Sequence, residues 1–161
     1  AELCAQLLER EHELEDLAAA LGRCFEERAF LAAFAAELAA ARDEAELGAG
    51  LVRRGAELVR AERAFLALRT EGAEEGYAIV ASRGFGAPPR ARYSAGEGLT
   101  GAVLREGAPC CVADALAFPP EGLADFEEAA HRNLLLVPLR SGDGSAALGV
   151  FGVLDADGPQ G

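Results

Sequence analysis

The chain has no lysine, no methionine and no tryptophan, so all 15 of its basic residues are arginine. Isoleucine and asparagine occur once each, at Ile79 and Asn133. Without methionine the native start is expected upstream, and the chain is expected to be a piece of a longer protein. Positive charge is scarce as well: 27 acidic residues leave a net charge of −12. An acidic surface repels phosphate backbones and anionic headgroups, which argues against direct nucleic-acid or membrane contact. Cysteine is confined to Cys4, Cys24, Cys110 and Cys111. Two are adjacent and two fall in helical sequence, which is not a disulfide framework. The longest apolar run, Ala29 to Ala41, is broken by Glu37. It falls short of the roughly 20 residues that cross a bilayer. No charged start with an apolar stretch and a cleavage site marks an export signal. A soluble, cytoplasmic protein is expected.

What is present suffices for one domain with a helical extension. The 161 residues are 51% hydrophobic, enough to fold without disulfides or metal. The stretch that organises the chain is Tyr93 to Asp114, YSAGEGLTGAVLREGAPCCVAD. Gly96 and Gly98 permit a tight turn into a helix opening near Leu99, because glycine takes positive φ freely. The helix is expected to end at Gly107, and Pro109 restarts the chain as an extended segment to Ala113.

Ahead of this unit the sequence is helical. Leu3, Leu7, Leu14, Leu17 and Leu21 keep a 3-4 spacing interrupted by Arg10, about three heptads of a coiled-coil seam. The seam and the uncapped start predict a parallel helical dimer; one amphipathic helix packed on its own domain is the alternative. Gly22 is expected to kink or end this helix. Residues 25–42 resume it, with Phe30, Leu31, Phe34 and Leu38 on one face. Asp43 and Glu46 form a capping box for a helix to about Arg63, striped by Leu51, Val52, Leu58 and Val59. Gly48 and Gly55 share that side and let the helix sit close on a sheet. The chain therefore divides into a helical segment, 1–42, and a domain, 43–161.

Strand patterns follow. Ala64–Arg69 and Tyr77–Arg83 read as one hairpin, Leu134–Arg140 and Ala146–Leu154 as another about an Asp-Gly turn. Gly149 and Gly152 point to a bulge or a close backbone approach. Between the hairpins lie a loop over 114–122 and a short helix with Leu123, Phe126 and Ala130, ending near His131. Adjacent hairpins imply an antiparallel sheet, hence an α+β fold.

Each chemical motif has a plain structural reading beside it. Gly96 to Gly101 matches GxGxxG, but a dinucleotide site needs a buried parallel strand before it, and Pro88-Pro89-Arg90 is none. The exposed N–H groups of that helix start remain able to hold an anion. Of Cys110 and Cys111, strand alternation lets only one face a pocket. A reactive thiol needs an electropositive or helix-N-terminal setting. Small buried residues are the ordinary reading; redox or metal sensing, or cofactor attachment, is the other. His131 at a helix end suits the dipole, and as a haem or metal ligand it lacks a second ligand at metal spacing. Asp155 and Asp157 begin like a calcium loop without its closing ligands, so they read as a turn. No Ser–His–Asp set or carboxylate pair is present in a catalytic spacing. Phe85, Phe118 and Phe126 lie in or beside the loops around the central unit, as pocket lining or as core.

Taken in order, these pieces resemble a GAF domain, a small-molecule sensory module. The resemblance runs from Leu47 to Asp157. It is carried by Ala64-Phe-Leu-Ala-Leu, Ser82-Arg-Gly-Phe-Gly, Gly96-Glu-Gly-Leu-Thr-Gly-Ala-Val, Gly107-Ala-Pro, Val112-Ala-Asp, Leu134-Leu-Leu-Val-Pro-Leu and Leu148-Gly-Val. It implies a GAF/PAS-like antiparallel sheet with N-terminal helices on one face and ligand-side loops and short helices on the other. It also implies a homodimer through the N-terminal helices and a fused effector such as a histidine kinase, a cyclase or a transcription activator. A ligand beneath the central unit would meet the candidate site residues Phe85, Thr100, Cys111, Phe118, Phe126 and His131. No cofactor is identified. The cyclic-nucleotide and phytochrome signatures of the family are absent, and so is the helix that usually follows the last strand. Free methionine sulfoxide reductases of this fold need a thiol where Thr100 stands. The expectation is a regulatory sensor of a bacterial signalling protein rather than an enzyme. The alternatives are a ligand-free dimerisation domain, or a thiol-based redox sensor or reductase using Cys110 or Cys111.

Overall fold

Leucine and alanine at helical spacing produce a first helix without a break: α1 spans Glu2–Ala40, 39 residues. The helix does not end at Gly22. Nothing lies within 4 Å of where its Cβ would stand, and the surrounding helix formers outweigh its weak propensity. The computed structural model describes residues 2–70, 75–86, 90, 92–114, 132–142 and 146–157. The chain forms two units, Ala1–Ala40 and Ala41–Gly161. No helix among the described residues is long and apolar enough to cross a membrane.

The second unit opens with α2, Glu44–Leu58. Asp43 caps it, its carboxylate accepting the Glu46 N–H at 2.8 Å. Glu46 reaches back to the N–H of Arg42 at 3.0 Å, one residue earlier than the standard box. The helix stops at Leu58, not at Arg63. Arg60 turns the chain with φ 51, a left-handed residue that no glycine announces. Leu58 is consequently 59% exposed and off the stripe, which is built by Gly48, Val52 and Ala56.

Six strands follow: β1 Ala61–Thr70, β2 Gly76–Arg83, β3 Tyr93–Ser94, β4 Cys110–Val112, β5 Leu134–Arg140 and β6 Ala147–Ala156. α3, Gly98–Glu106, lies between β3 and β4. The strand order is β3-β2-β1-β6-β5-β4, and every neighbouring pair is antiparallel. This is the expected α+β architecture, and it removes the parallel strand that a dinucleotide fingerprint requires. Strand β3 was not legible, being two residues long. The short helix expected before His131 and the Asp-Gly turn lie outside the described residues.

The sheet buries both faces. On one, Val52 and Ala56 of α2 meet Ala64, Leu66 and Val153. Gly55 leaves room for the Phe151 ring: a Cβ there would stand 2.3 Å from Cζ. On the other, Val103 and Leu104 of α3 share a core with Phe65, Tyr77, Leu136, Val150 and Leu154. Here Gly152 is the gap, and a Cβ would stand 2.3 Å from the Phe65 ring. Between β1 and β2 the register shifts at Leu66/Ala67, where pairing passes from Ala81 to Ile79. Val80 is the extra residue, a β-bulge. It sends Ile79 to the α3 core and Ala81 to the α2 core, although a period of two would place them on one face.

Candidate functional site

The turn into α3 is built by three glycines, each for a steric reason. Gly96 and Gly98 have φ of 81° and 64°. Gly101, one turn into the helix, packs on Gly96: a Cβ would stand 2.6 Å from the Gly96 carbonyl carbon. The GxGxxG spacing thus follows from a helix folding back on its own entry turn. Glu97 closes this turn twice. Its N–H donates to the Ser94 carbonyl at 3.0 Å, and its carboxylate accepts the Ser94 N–H at 2.9 Å.

Beneath the turn, the fully buried Tyr77 donates its hydroxyl to the Glu97 carbonyl at 2.8 Å. Its ring stacks on Tyr93 with centroids 5.0 Å apart and planes within 9°. The Arg90 guanidinium lies over the Tyr93 ring, 4.5 Å from its centroid, and pairs with Glu97. The Arg90 N–H donates to the Tyr93 hydroxyl at 3.0 Å. At the far end of α3, Gly107 adopts φ 66 and its N–H donates to the Val103 carbonyl. Arg69 donates to the carbonyls of Leu104 at 3.1 Å and Ala147 at 3.2 Å, and Arg140 donates to that of Gly107. Two guanidinium groups therefore satisfy carbonyls at the C-terminal end of the helix, where the dipole favours them.

This frame borders an open cavity of about 210 Å³ lined by Arg69, Glu75, Tyr77, Gly96, Leu104 and Arg105. A more polar recess of about 410 Å³ lies beside it along Thr70, Arg90, Arg92, Tyr93, Ser94 and Glu97. The Thr70 hydroxyl is buried at this edge without a hydrogen-bond partner. A separate network ties the ends of β1, β5 and β6. Asp155, 4% exposed and at φ 54, pairs with Arg63 at 2.8 Å and accepts the Arg132 N–H at 2.7 Å. The side-chain amide of Asn133 exchanges two hydrogen bonds of 2.9 Å with the Ala156 backbone. Asp155 is thus committed to tying these strand ends together, and it lies within β6 rather than in the turn expected for it. No group of three or more metal-capable side chains exists among the described residues.

Of the expected site residues, Phe85 is half-buried and meets Phe65 edge-on at 6.4 Å. Thr100 is fully buried within the same α3 layer. Cys111 is exposed, paired with Leu135, a residue of the α2-side core. Cys110 packs against the α3-side core instead. Phe118, Phe126 and His131 lie outside the described residues. Sequence reasoning passed over Arg69, Tyr77, Arg90 and Glu97. A signal for one of these was available: Tyr77 and its stacking partner Tyr93 are the only tyrosines in the chain.

A family model described as GAF domain matches residues 41–160. Among solved structures, the GAF domain of an Acinetobacter phosphoenolpyruvate-protein phosphotransferase superposes with a TM-score of 0.67 at 18% identity, covering 81% of this chain and 77% of its own. The corresponding domain from Coxiella burnetii gives a TM-score of 0.65 at 22% identity, with coverage of 79% and 76%. The free methionine-R-sulfoxide reductase of Neisseria meningitidis, solved with its substrate, gives 0.64 at 20% identity, with coverage of 79% and 71%. At these identities the likeness establishes fold alone. No curated protein sequence matches the chain.

Proposed function

Because the chain belongs to the GAF domain family, a sensory and regulatory module, we propose that it senses a small ligand held beneath α3 and passes the signal to a fused effector through paired α1 helices. The observation that carries this reading is the cavity of about 210 Å³ between the Gly96–Gly101 turn and Arg69, over Tyr77. Its volume is below the roughly 300 Å³ at which drug-sized pockets begin, so the ligand has few heavy atoms. Arginines and a glutamate at its rim suit a polar ligand; Phe85 and Thr100 do not line it. The host is a bacterial signalling or transcription-regulatory protein of the cytoplasm. A ligand shifts the balance only by binding two arrangements of the domain unequally.

The test is a thermal-shift screen with small polar metabolites. A specific ligand raises Tm by mass action, and Arg105→Glu at the rim abolishes the rise. A rise that survives this change puts the ligand elsewhere. A screen without any rise favours a second reading, a structural dimerisation domain with a self-filled pocket. That reading has one observation behind it: Phe65 fills the space over Gly152 and is 0% exposed. Catalysis is not part of the proposal. A reductase using Cys110 or Cys111 would require turnover of methionine sulfoxide that Cys110→Ser or Cys111→Ser removes.

A further inference from the structure

The polar recess beside the α3 cavity has a floor of its own. Strand register sets Thr70, Gly76 and Ser94 side by side across β1, β2 and β3. Side chains directly opposite on neighbouring strands share a face, so two hydroxyl-bearing residues flank a glycine. Gly76 can carry no side chain, because a Cβ there would collide with the Tyr93 carbonyl oxygen. The place of that missing Cβ is 3.6 Å from Thr70 Oγ1. This hydroxyl is buried and has no hydrogen-bond partner among the described residues. A hydroxyl so placed costs stability unless something else meets it.

Two pairs of opposite charges surround the gap. Arg90 and Glu97 line the recess and pair with each other. Glu75 and Arg92 line it as well, and the Glu75 backbone is fixed by its carbonyl, which accepts the Ala95 N–H at 3.1 Å. Neither the Glu75 carboxylate nor the Arg92 guanidinium makes a hydrogen bond or an ion pair among the described residues. A plain anion would be repelled by Glu75 and a plain cation by Arg92. A molecule with one charge of each sign satisfies both. The recess, about 410 Å³, falls inside the roughly 300–1,000 Å³ of small-molecule sites.

We propose that this recess binds a free α-amino acid as its zwitterion. The ligand carboxylate accepts from Arg92, its ammonium donates to Glu75, and the Thr70 hydroxyl gains the partner it lacks. The recess shares Glu75 and Gly76 with the cavity over Tyr77 but neither Arg69 nor Arg105, so this second site goes beyond the sensing reading above and does not rest on it.

Isothermal titration of the whole chain with each of the common L-amino acids in turn is the test. At least one is expected to bind. Its N-acetyl derivative and its amide, each lacking one charge, should bind about tenfold more weakly or worse. Binding by none, or a blocked derivative as tight as its parent, overturns the proposal. Thr70→Val removes an unmatched hydroxyl from the free protein and a contact from the complex. It should lower the affinity without lowering Tm; unchanged affinity, or a fall in both, overturns the assignment. Arg92→Gln should weaken binding about tenfold while Arg105→Glu leaves it intact. The reverse pattern places the amino acid over Tyr77, which overturns this site and leaves the sensing reading standing.

Discussion

The two faces of the sheet solve the same packing problem in opposite ways. Toward α2, β6 extends a ring, Phe151, into the gap left by a helix glycine, Gly55. Toward α3, the next residue of β6 is itself the glycine, Gly152, and a neighbouring ring, Phe65, fills it. The first contact ends on the tip of a half-buried ring that can swing. The second ends on a fully buried ring wedged beside Leu136. The α3 layer is also held by backbone, through Gly101 on Gly96 and through Arg69 and Arg140 on helix carbonyls. One face is compliant and the other over-determined, and the over-determined face holds the cavity.

Substitutions of equal chemical size should therefore cost unequally. Gly101→Ala drives a methyl into the Gly96 backbone, which has no rotamer to yield, and is expected to destabilise by about 3 kcal/mol. Denaturant unfolding measures this, and a loss below that of Gly152→Ala would erase the distinction drawn here. Gly152→Ala presses on the Phe65 ring and is expected to cost about 2 kcal/mol by the same measurement. On the compliant side, Asp43→Ala removes the α2 cap for about 1 kcal/mol, and amide exchange should quicken in the first turn of α2 while α3 stays protected. Gly55→Ala is the mildest. Rotation of Phe151 relieves the contact and alanine favours the helix, so the stability should change by about 0.5 kcal/mol or less. A loss as large as that at Gly152 would show that the α2 face is as rigid as the other.

The sequence was most readable where conformation leaves a residue-type mark. Gly96, Gly98 and Gly107 occupy positive φ, and the turn–helix–strand unit was placed from them. Asp43 was legible because capping needs a short acceptor side chain three residues before a free N–H. Arg60 takes the same left-handed region as those glycines without being one, so the end of α2 was read too late. The bulge at Val80 has no composition of its own, and a period-two reading would have put Ala81 on the face of Tyr77. The candidate site was least legible. Its frame joins Arg69 to Leu104 and Tyr77 to Glu97, contacts across 35 and 20 residues that no local pattern encodes. Strand parity warned that only one of two adjacent cysteines could face inward, but it did not say which.

The extra residue in β2 gives that strand slack in length without slack in facing. A gene that lost the codon for Val80 would still direct Tyr77 and Ile79 toward α3 and Ala81 and Arg83 toward α2, because the chain beyond the bulge already keeps that alternation. Loss of one codon from the middle of β6, whose pairing with β1 is regular, would turn one end of that strand inside out. Length variation among descendants of this chain should accordingly collect at the bulge and spare the middle of the last strand, beyond its own irregularity at Leu148.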